Sequence, residues 1–387
     1  MTPYLYEKTY HGTGNSDRIG PLPAWIECLV TEERNGEFYL EGTLPSGAEN
    51  VDQLAIDRII MAAPSPARPA ASSPFSTYLP MQPFRIRRLY KDADSDMVHV
   101  LAHHVTYQLI EYQVKPSFSR SYSDIQDFLD EGFNESGTLS NFVVPAISGD
   151  FHFLTNIELL EAVQISHTDP LSPRAWIGGD DGLLSILTGK VDAENEVLKE
   201  PEVDWNGWTV EIKKFRGANR GISVSYGHNL ASLEYDTDAA GLVTGYFGWW
   251  RKDGFYTDSV IYESNASDWA YPRVVSVDLS NVLSVTPPAT TPTDAAMEAA
   301  LQAYAKENKA NFVPTCITVN AVPDILQNVY LCDTIKVVHP VYKIKQSAKI
   351  VRTVYDPIHD RYASITIGEI QKGITDTIAR MLARFRT

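Results

Sequence analysis

The chain has 387 residues, more than one hydrophobic core organises, so several compact units are expected. Its 49 acidic against 33 basic residues leave a net charge of −16, which argues against a protein that grips nucleic-acid phosphates, whereas 44% hydrophobic and 21% charged residues are ordinary for a folded protein. Cys28, Cys316 and Cys332 stand far apart with no Cys-x-x-Cys or Cys/His spacing, no run approaches the about 20 apolar residues of a membrane span, and the opening MTPYLYEKTYHGTG lacks a signal-peptide pattern, so a disulfide framework, a zinc site, a spanning helix and a secretory leader are all disfavoured.

Twenty polar, Gly-interrupted residues lead into a predicted strand at 24–30 (AWIECLV). Asn35-Gly36 then gives a hairpin turn, and EFYLEGTL is the returning strand. Residues 53–60 predict another strand. The proline-dense stretch 61–83 can be neither a regular helix nor a central strand and is expected to be a long, exposed, mobile loop. FRIRRL and MVHVLAH form a further strand pair around KDADSD, whose alternating aspartates lack the Gly and distal Glu of a calcium loop and fit a solvated turn.

From Val105 the spacing turns helical. SDIQDFLDEGF predicts a helix capped at Ser123, with Ile125, Phe128 and Leu129 on one face, and Asp180-Asp181-Gly182 opens a short helix ending at Gly189. The acidic run 191–204 fits a linker or an exposed hairpin. WNGWTVEIKKF begins a second β-rich part, with Trp208, Val210 and Ile212 on one face.

The stretch 216–250 organises the second half of the chain. A Gly-rich turn, 217–221, precedes a strand with Ile222, Val224 and Tyr226 on one side and Ser223 and Ser225 on the other. An acidic connection leads to a second strand ending in Trp249-Trp250, and the two are expected to be antiparallel neighbours in a small barrel or sandwich. Adjacent residues on a strand face opposite sides, so one of Trp249 and Trp250 is expected in core and the other at a subunit contact. After a Pro/Thr linker, Thr293 caps a helix with Ala296, Ala300 and Tyr304 in line. The last β segment reads LCDTIKVVHP, AKIVRTVYD and RYASITIGE. Residues 370–387 form a basic amphipathic helix seeking a partner, with Ile374, Ile378, Met381, Leu382 and Phe385 along one face.

No His-Glu-x-x-His, P-loop, Gly-x-Gly-x-x-Gly after a strand, or Gly-x-Ser-x-Gly occurs. His103-His104 lacks an acidic or Cys partner at ligand spacing and fits a structural role. Cys28 and Cys316 sit in apolar, strand-like runs, which suits core better than a Cys–His nucleophile. Asp180-Asp181 fits a helix start better than a glycosidase pair. The pattern supports no catalytic residue, no metal and no cofactor.

The order "Gly-rich turn, I-x-V-x-Y-G-x-N-L, acidic spacer, V-T-G-Y" resembles the tail-hub family of long-tailed bacteriophages, which includes prophage tail proteins, the N-terminal regions of tail-associated lysins and "endopeptidase tail" proteins. The opening hairpin resembles the family's V-T-E-E-x-N-G-x-Y-x-L. The closing phrases 331–337, 349–356 and 361–368 resemble L-G-D-x-V-x-V, a-K-V-V-x-x-x-Y-D and R-Y-x-S-I-x-L-G, with Cys332 in place of the usual Gly, so a departure of that turn is expected. The resemblance implies a β-rich α+β fold with two tube-forming β-barrel domains and peripheral α/β domains. On that basis residues 1–104 are the first barrel, 105–204 a mixed α/β insertion, 205–270 with 329–369 the second barrel, 271–328 a peripheral α/β domain, and 370–387 the C-terminal helix.

The same resemblance implies a structural, non-catalytic baseplate or tail-tip hub: a homotrimeric ring docked on the distal tail protein and tail tube. Such a ring carries a tip or receptor-binding protein, and genomic DNA passes through it unbound. The protein would be made in the host cytoplasm and end at the virion tail tip. Larger relatives carry a C-terminal cell-wall-cleaving or receptor-binding module, which the short stretch after Gly368 leaves no room for. Candidate subunit-interface residues are Trp249, Trp250, Ile374, Ile378 and Phe385. A tail-associated peptidoglycan endopeptidase and a host carbohydrate-binding tip module remain alternatives.

Overall fold

A computed structural model describes residues 1–387 except 13–15, 68–77, 93, 134–142, 145–150, 180–181, 200, 227–229, 238–242, 265, 281, 286–288, 309–314, 322–327, 342–343 and 369–387. The chain is β-rich and divides into two compact units, 1–234 with 317–387 and 235–316.

The larger unit begins with β1 (Tyr4–Tyr6), β2 (Arg18–Pro21), β3 (Glu27–Glu33), β4 (Phe38–Pro45), β5 (Ile59–Ala62), β6 (Gln82–Asp92) and β7 (Met97–His104). They pair antiparallel in the spatial order β3-β4-β7-β6-β5-β1-β2. The hairpin signal is met in detail: Asn35 takes φ 51, Gly36 N–H donates to Glu33 O at 3.0 Å, and β3 and β4 run out from that turn. β6 and β7 join through a turn in which the Asp92 carboxylate accepts from Asp94 N–H and Ser95 Oγ, and the Ser95 bond holds its pKa below the usual value.

The proline-rich stretch departs from expectation at both ends. Met61 and Ala62 lie in β5 and Gln82 and Pro83 in β6, while residues 63–66 are buried and Tyr330 Oη donates to Ala67 O at 3.1 Å. Small apolar residues that offer few backbone donors bury without leaving orphaned N–H groups. Residues 78–81 lie outside the strands with Leu79 and Pro80 exposed, as expected, and 68–77 lie outside the described residues.

A 3-10 turn (Val105–Ile110) leads into β8 (Gln113–Val114), β9 (Phe118–Asp124), α1 (Ile125–Gly132), β10 (Val143–Val144), β11 (His152–Thr155), β12 (Glu158–His167), α2 (Pro173–Gly178), α3 (Leu183–Leu187), β13 (Glu202–Asn206) and β14 (Thr209–Lys213). Ile125, Phe128 and Leu129 are buried as their spacing predicts, but the cap of α1 is not Ser123 but Asp124, the last residue of β9 and the one directly before the helix, which accepts from Gln126 N–H at 2.8 Å. Asp180 and Asp181 lie outside the described residues. One apolar cluster runs from Leu5 to Ile212, so β1–β7 and the segment after them share a core.

The larger unit continues with β15 (Asn219–Ser225) and β16 (Leu230–Thr237). The smaller unit holds β17 (Gly245–Lys252), β18 (Phe255–Tyr262), β19 (Val274–Asp278) and α4 (Asp294–Asn308). β20 (Thr315–Ala321), β21 (Thr334–His339), β22 (Ile344–Asp356) and β23 (Arg361–Gly368) complete the fold.

The expectation that 222–226 and 242–250 are antiparallel neighbours is overturned. β15 pairs parallel with β21, whereas β17 lies in a separate sheet between β18 and β19. Alternation identifies a strand's buried face and says nothing of its partner.

β22 is the joint of the larger unit. Its first half pairs with β21 and its second half with β23 and β3, so the chain's last strands extend the sheet made by its first. Val224, Leu331, Ile335, Val337, Ile350, Ile365 and their neighbours form a second apolar cluster there.

In the smaller unit Tyr246, Trp250, Val277 and Leu279 pack against Met297 and Leu301 of α4. Thr293 Oγ1 accepts from Ala296 N–H at 3.3 Å, the predicted cap, but the buried stripe centres on Met297 and Leu301, with Ala300 and Tyr304 at its margin.

Candidate interaction surface

The groups that most invite a chemical reading are occupied by structural bonds. Asp192, Glu194 and Glu196 bring carboxylates close enough to hold a cation. Lys214 Nζ fills that position, 2.5 Å from Asp192 Oδ2 and 2.9 Å from Glu194 Oε2. The bond between them raises the Lys214 pKa and lowers that of Asp192. Burial pushes the Cys28 thiol up, and the Cys332 thiol up to about 12, so neither offers a thiolate near neutral pH.

His104 is fully buried and stacked on Phe38 at 4.4 Å. Its Nδ1 accepts from Thr106, and its Nε2 lies 3.2 Å from Gln82 Oε1, which also accepts from Gly207 N–H. Beside it Arg174, reaching in from α2, lies between the rings of Tyr107 (4.2 Å) and Trp205 (4.3 Å) and donates to Gly36 O at 2.9 Å.

Burial, then the Arg174 charge, holds the His104 pKa well below 6.5. An unfolded His104 takes up a proton that the folded one refuses. Its contribution is therefore complete above pH 6.5 and is lost as pH falls below that value, at up to about 1.4 kcal/mol per pH unit. Denaturant melts between pH 7.5 and 5 should show this slope, and His104→Asn should remove it; an unchanged slope would contradict the assignment.

The acidic run 191–204, expected to be a linker or an exposed hairpin, is exposed at 193–197, where Val191 and Val197 form an antiparallel bridge, but its end supplies a buried charge cluster. Glu202 is fully buried and its Oε1 meets Arg34 Nε at 2.5 Å and Lys349 Nζ at 2.9 Å, while its other oxygen accepts from Arg216 N–H. The Arg216 guanidinium, 3% exposed, lies 2.9 Å from Glu32 and 2.8 Å from Asp204 and donates to Val203 O. Lys213 closes the set on Asp204 and Glu211. Burial alone would lower the Arg216 pKa, but Asp204 and Glu32 carry it well above its usual value. Formal charges cancel across β3, β13, β14 and β22, the condition under which ions can be taken from water.

Next to this cluster the phrase Leu331-Cys332-Asp333 meets the Gly-rich turn. Asp333 is buried: Oδ1 accepts from Ala218 N–H (2.6 Å) and Oδ2 from Arg220 Nε (2.7 Å) and Tyr330 N–H (3.0 Å). Cys332, where a glycine was the expected residue, does not abolish the turn. It takes φ 71, the left-handed conformation a glycine would supply.

The smaller unit separates the two sequence-predicted tryptophans. Trp250 is 3% exposed and its Nε1 donates to Leu283 O at 3.0 Å. Gly248 lets α4 close in, since a Cβ there would lie 2.8 Å from Leu301. Trp249 points to the other face, half-buried. Strand register places Phe247, Val260, Tyr262 and Val274 on that same face, the last three being 42%, 57% and 44% exposed. Trp249 sits in a row between Asp258 and Asp278, both exposed. This contiguous apolar and aromatic surface with an acidic row is the candidate interaction surface. Ile374, Ile378 and Phe385 lie outside the described residues.

Trp250→Ala should destabilise the smaller unit by about 3 kcal/mol, whereas Trp249→Ser should change its stability by less than about 1 kcal/mol. Hydrogen exchange of β17–β19 reads both, and equal effects would contradict the division of faces.

Comparison with known proteins places this architecture. Residues 218–378 match the family described as prophage endopeptidase tail. No curated protein sequence matches the chain. Among solved structures, the prophage tail protein gp18 from Listeria monocytogenes EGD-e superposes with a TM-score of 0.56 at 13% identity, covering 100% of both chains. The 43 kDa tail protein of prophage MuSo2 from Shewanella oneidensis gives 0.54 at 9% identity over 95% of this chain and 98% of its own. The tail protein from Neisseria meningitidis MC58 gives 0.52 at 9% identity over 97% and 98%. The chain thus has the fold of prophage tail proteins, and within its second half residues 218–378 match the family model.

Proposed function

We propose that the protein is a structural component of a phage or prophage tail tip, a hub that joins the tail tube and distal tail protein to the tip. The observation that carries this reading is the end-to-end match of fold with a prophage tail protein, with both chains covered in full. In the proposed assembly two barrel-like parts of each chain, in three copies, build a ring around the DNA path. A net charge of −16 per chain favours a bore that does not trap DNA, because phosphate binding draws on basic surface. Sheet edges left open in one copy would be covered by the next.

The reading is non-catalytic despite the word endopeptidase in the family's description. Within the matched region Cys332 and Asp333 are committed to the turn that holds Ala218 and Arg220. Antibody labelling of intact particles tests the location: signal confined to the tail tip is expected, and signal on the capsid alone or absent from particles would contradict it. Purified protein should leave cell-wall sacculi uncleaved in a zymogram, and lysis abolished by one point substitution would overturn the non-catalytic reading.

A further inference from the structure

The sheet of the smaller unit has a helix on one face, and on the other the half-buried rings of Phe247 and Trp249 beside the exposed ring of Tyr262. α4 covers Tyr246, Trp250 and Val277, and among the described residues no helix covers Phe247, Trp249, Val260 and Tyr262 in the same way. Stable layers bury both faces of such a sheet or leave the second one polar. The chemistry of the face constrains an occupant. The Tyr262 end calls for apolar side chains. The indole of Trp249 between two carboxylates favours a cation that stacks on the ring and pairs with Asp278, while Asp258 is bonded by Tyr256 and Arg251 stands two residues along the same face.

We propose that this face seats residues 370–387 of a neighbouring copy of the chain, a basic arm exchanged between subunits; this rests on the hub reading, which sets copies side by side. In a chain of net charge −16 that segment is the basic amphipathic stretch: Lys372, Arg380, Arg384 and Arg386 stand against Asp376, and Ile374, Ile378, Met381, Leu382 and Phe385 share a helical face. Dimensions agree. Eighteen residues of helix span about 27 Å, as do the 8-residue strands β17 and β18 at about 3.4 Å per residue. Three strands at about 4.8 Å spacing offer the width of one helix. Copies this acidic repel each other, and a basic arm laid on a neighbour's aspartates offsets that repulsion where they meet.

The test uses full-length chains throughout, with mass followed by light scattering over a concentration series. Asp258→Lys with Asp278→Lys reverses the face, and Arg380→Glu with Arg384→Glu reverses the arm. Each variant should associate about tenfold more weakly than wild type, and an equimolar mixture of the two should recover part of the association, because in a ring of three mixed copies two arm–face contacts are matched and one is not. The altered aspartates are exposed, and hydrogen exchange of β17 confirms folding of the face variant. If wild type associates and both variants match it, the arm is overturned and the hub reading stands. Weakened variants whose mixture shows no recovery also overturn the arm. A wild-type chain that stays monomeric beside its distal tail protein overturns both readings.

Discussion

Gly217→Ala should destabilise the larger unit by about 4 kcal/mol or more. Gly217 takes φ 77, and a Cβ there would lie 2.3 Å from both the carbonyl carbon and oxygen of Cys332 and 2.5 Å from Asp333 N. All three are backbone atoms in a turn already fixed by Cys332 N–H to Ile350 O and Ile350 N–H to Asp333 O, so no flexible side chain can give way. Urea denaturation read by tryptophan fluorescence measures the loss, and a loss under about 1 kcal/mol would show that the two chain passages are not in contact. Cys332→Gly is the control. It relieves a left-handed non-glycine residue while removing a buried thiol, and the opposing effects should leave stability within about 1 kcal/mol of wild type.

Arg216→Met should destabilise the larger unit by about 3–5 kcal/mol, the range for removing one partner of a buried ion pair. Methionine fills much of the space but removes the guanidinium that pairs with Glu32 and one of the cations beside Asp204. The loss should shrink when Glu32→Gln is added, because the second change removes the stranded charge; a double-variant cycle reads that coupling directly. Independent, additive losses would mean that the guanidinium contributes packing only. Arg216 and Gly217 are adjacent, so one short segment ties β3 and β13 on one side to the turn that leads into β21 on the other.

How much of the molecule could be read in advance depends on the range of the forces involved. The Asn35-Gly36 hairpin, the Thr293 cap, the β6–β7 pair and the closing strands are local, each set by residues a few positions apart. The split between Trp249 and Trp250 was legible for the same reason, since strand alternation is a local property. Partnerships across the chain were not. β15 meets β21 more than a hundred residues later, and nothing in ISVSY names that partner. The charge cluster was hidden in the same way: Glu202 and Asp204 look like solvated acid until Arg34, Arg216 and Lys349 are brought to them. Arg174, a cation on a short helix, gave no signal of burial between Tyr107 and Trp205. Of the candidate interaction surface the sequence showed its tryptophan but not its acidic row, because Asp258 and Asp278 flank Trp249 only once three strands are in register.

The reading of this chain as a ring-forming hub is tested most directly by the mass of the purified protein, alone and with its distal tail protein, across a range of concentrations. Three copies per particle, appearing as concentration rises or when the distal tail protein is added, is the predicted result. A strict monomer under both conditions would contradict it.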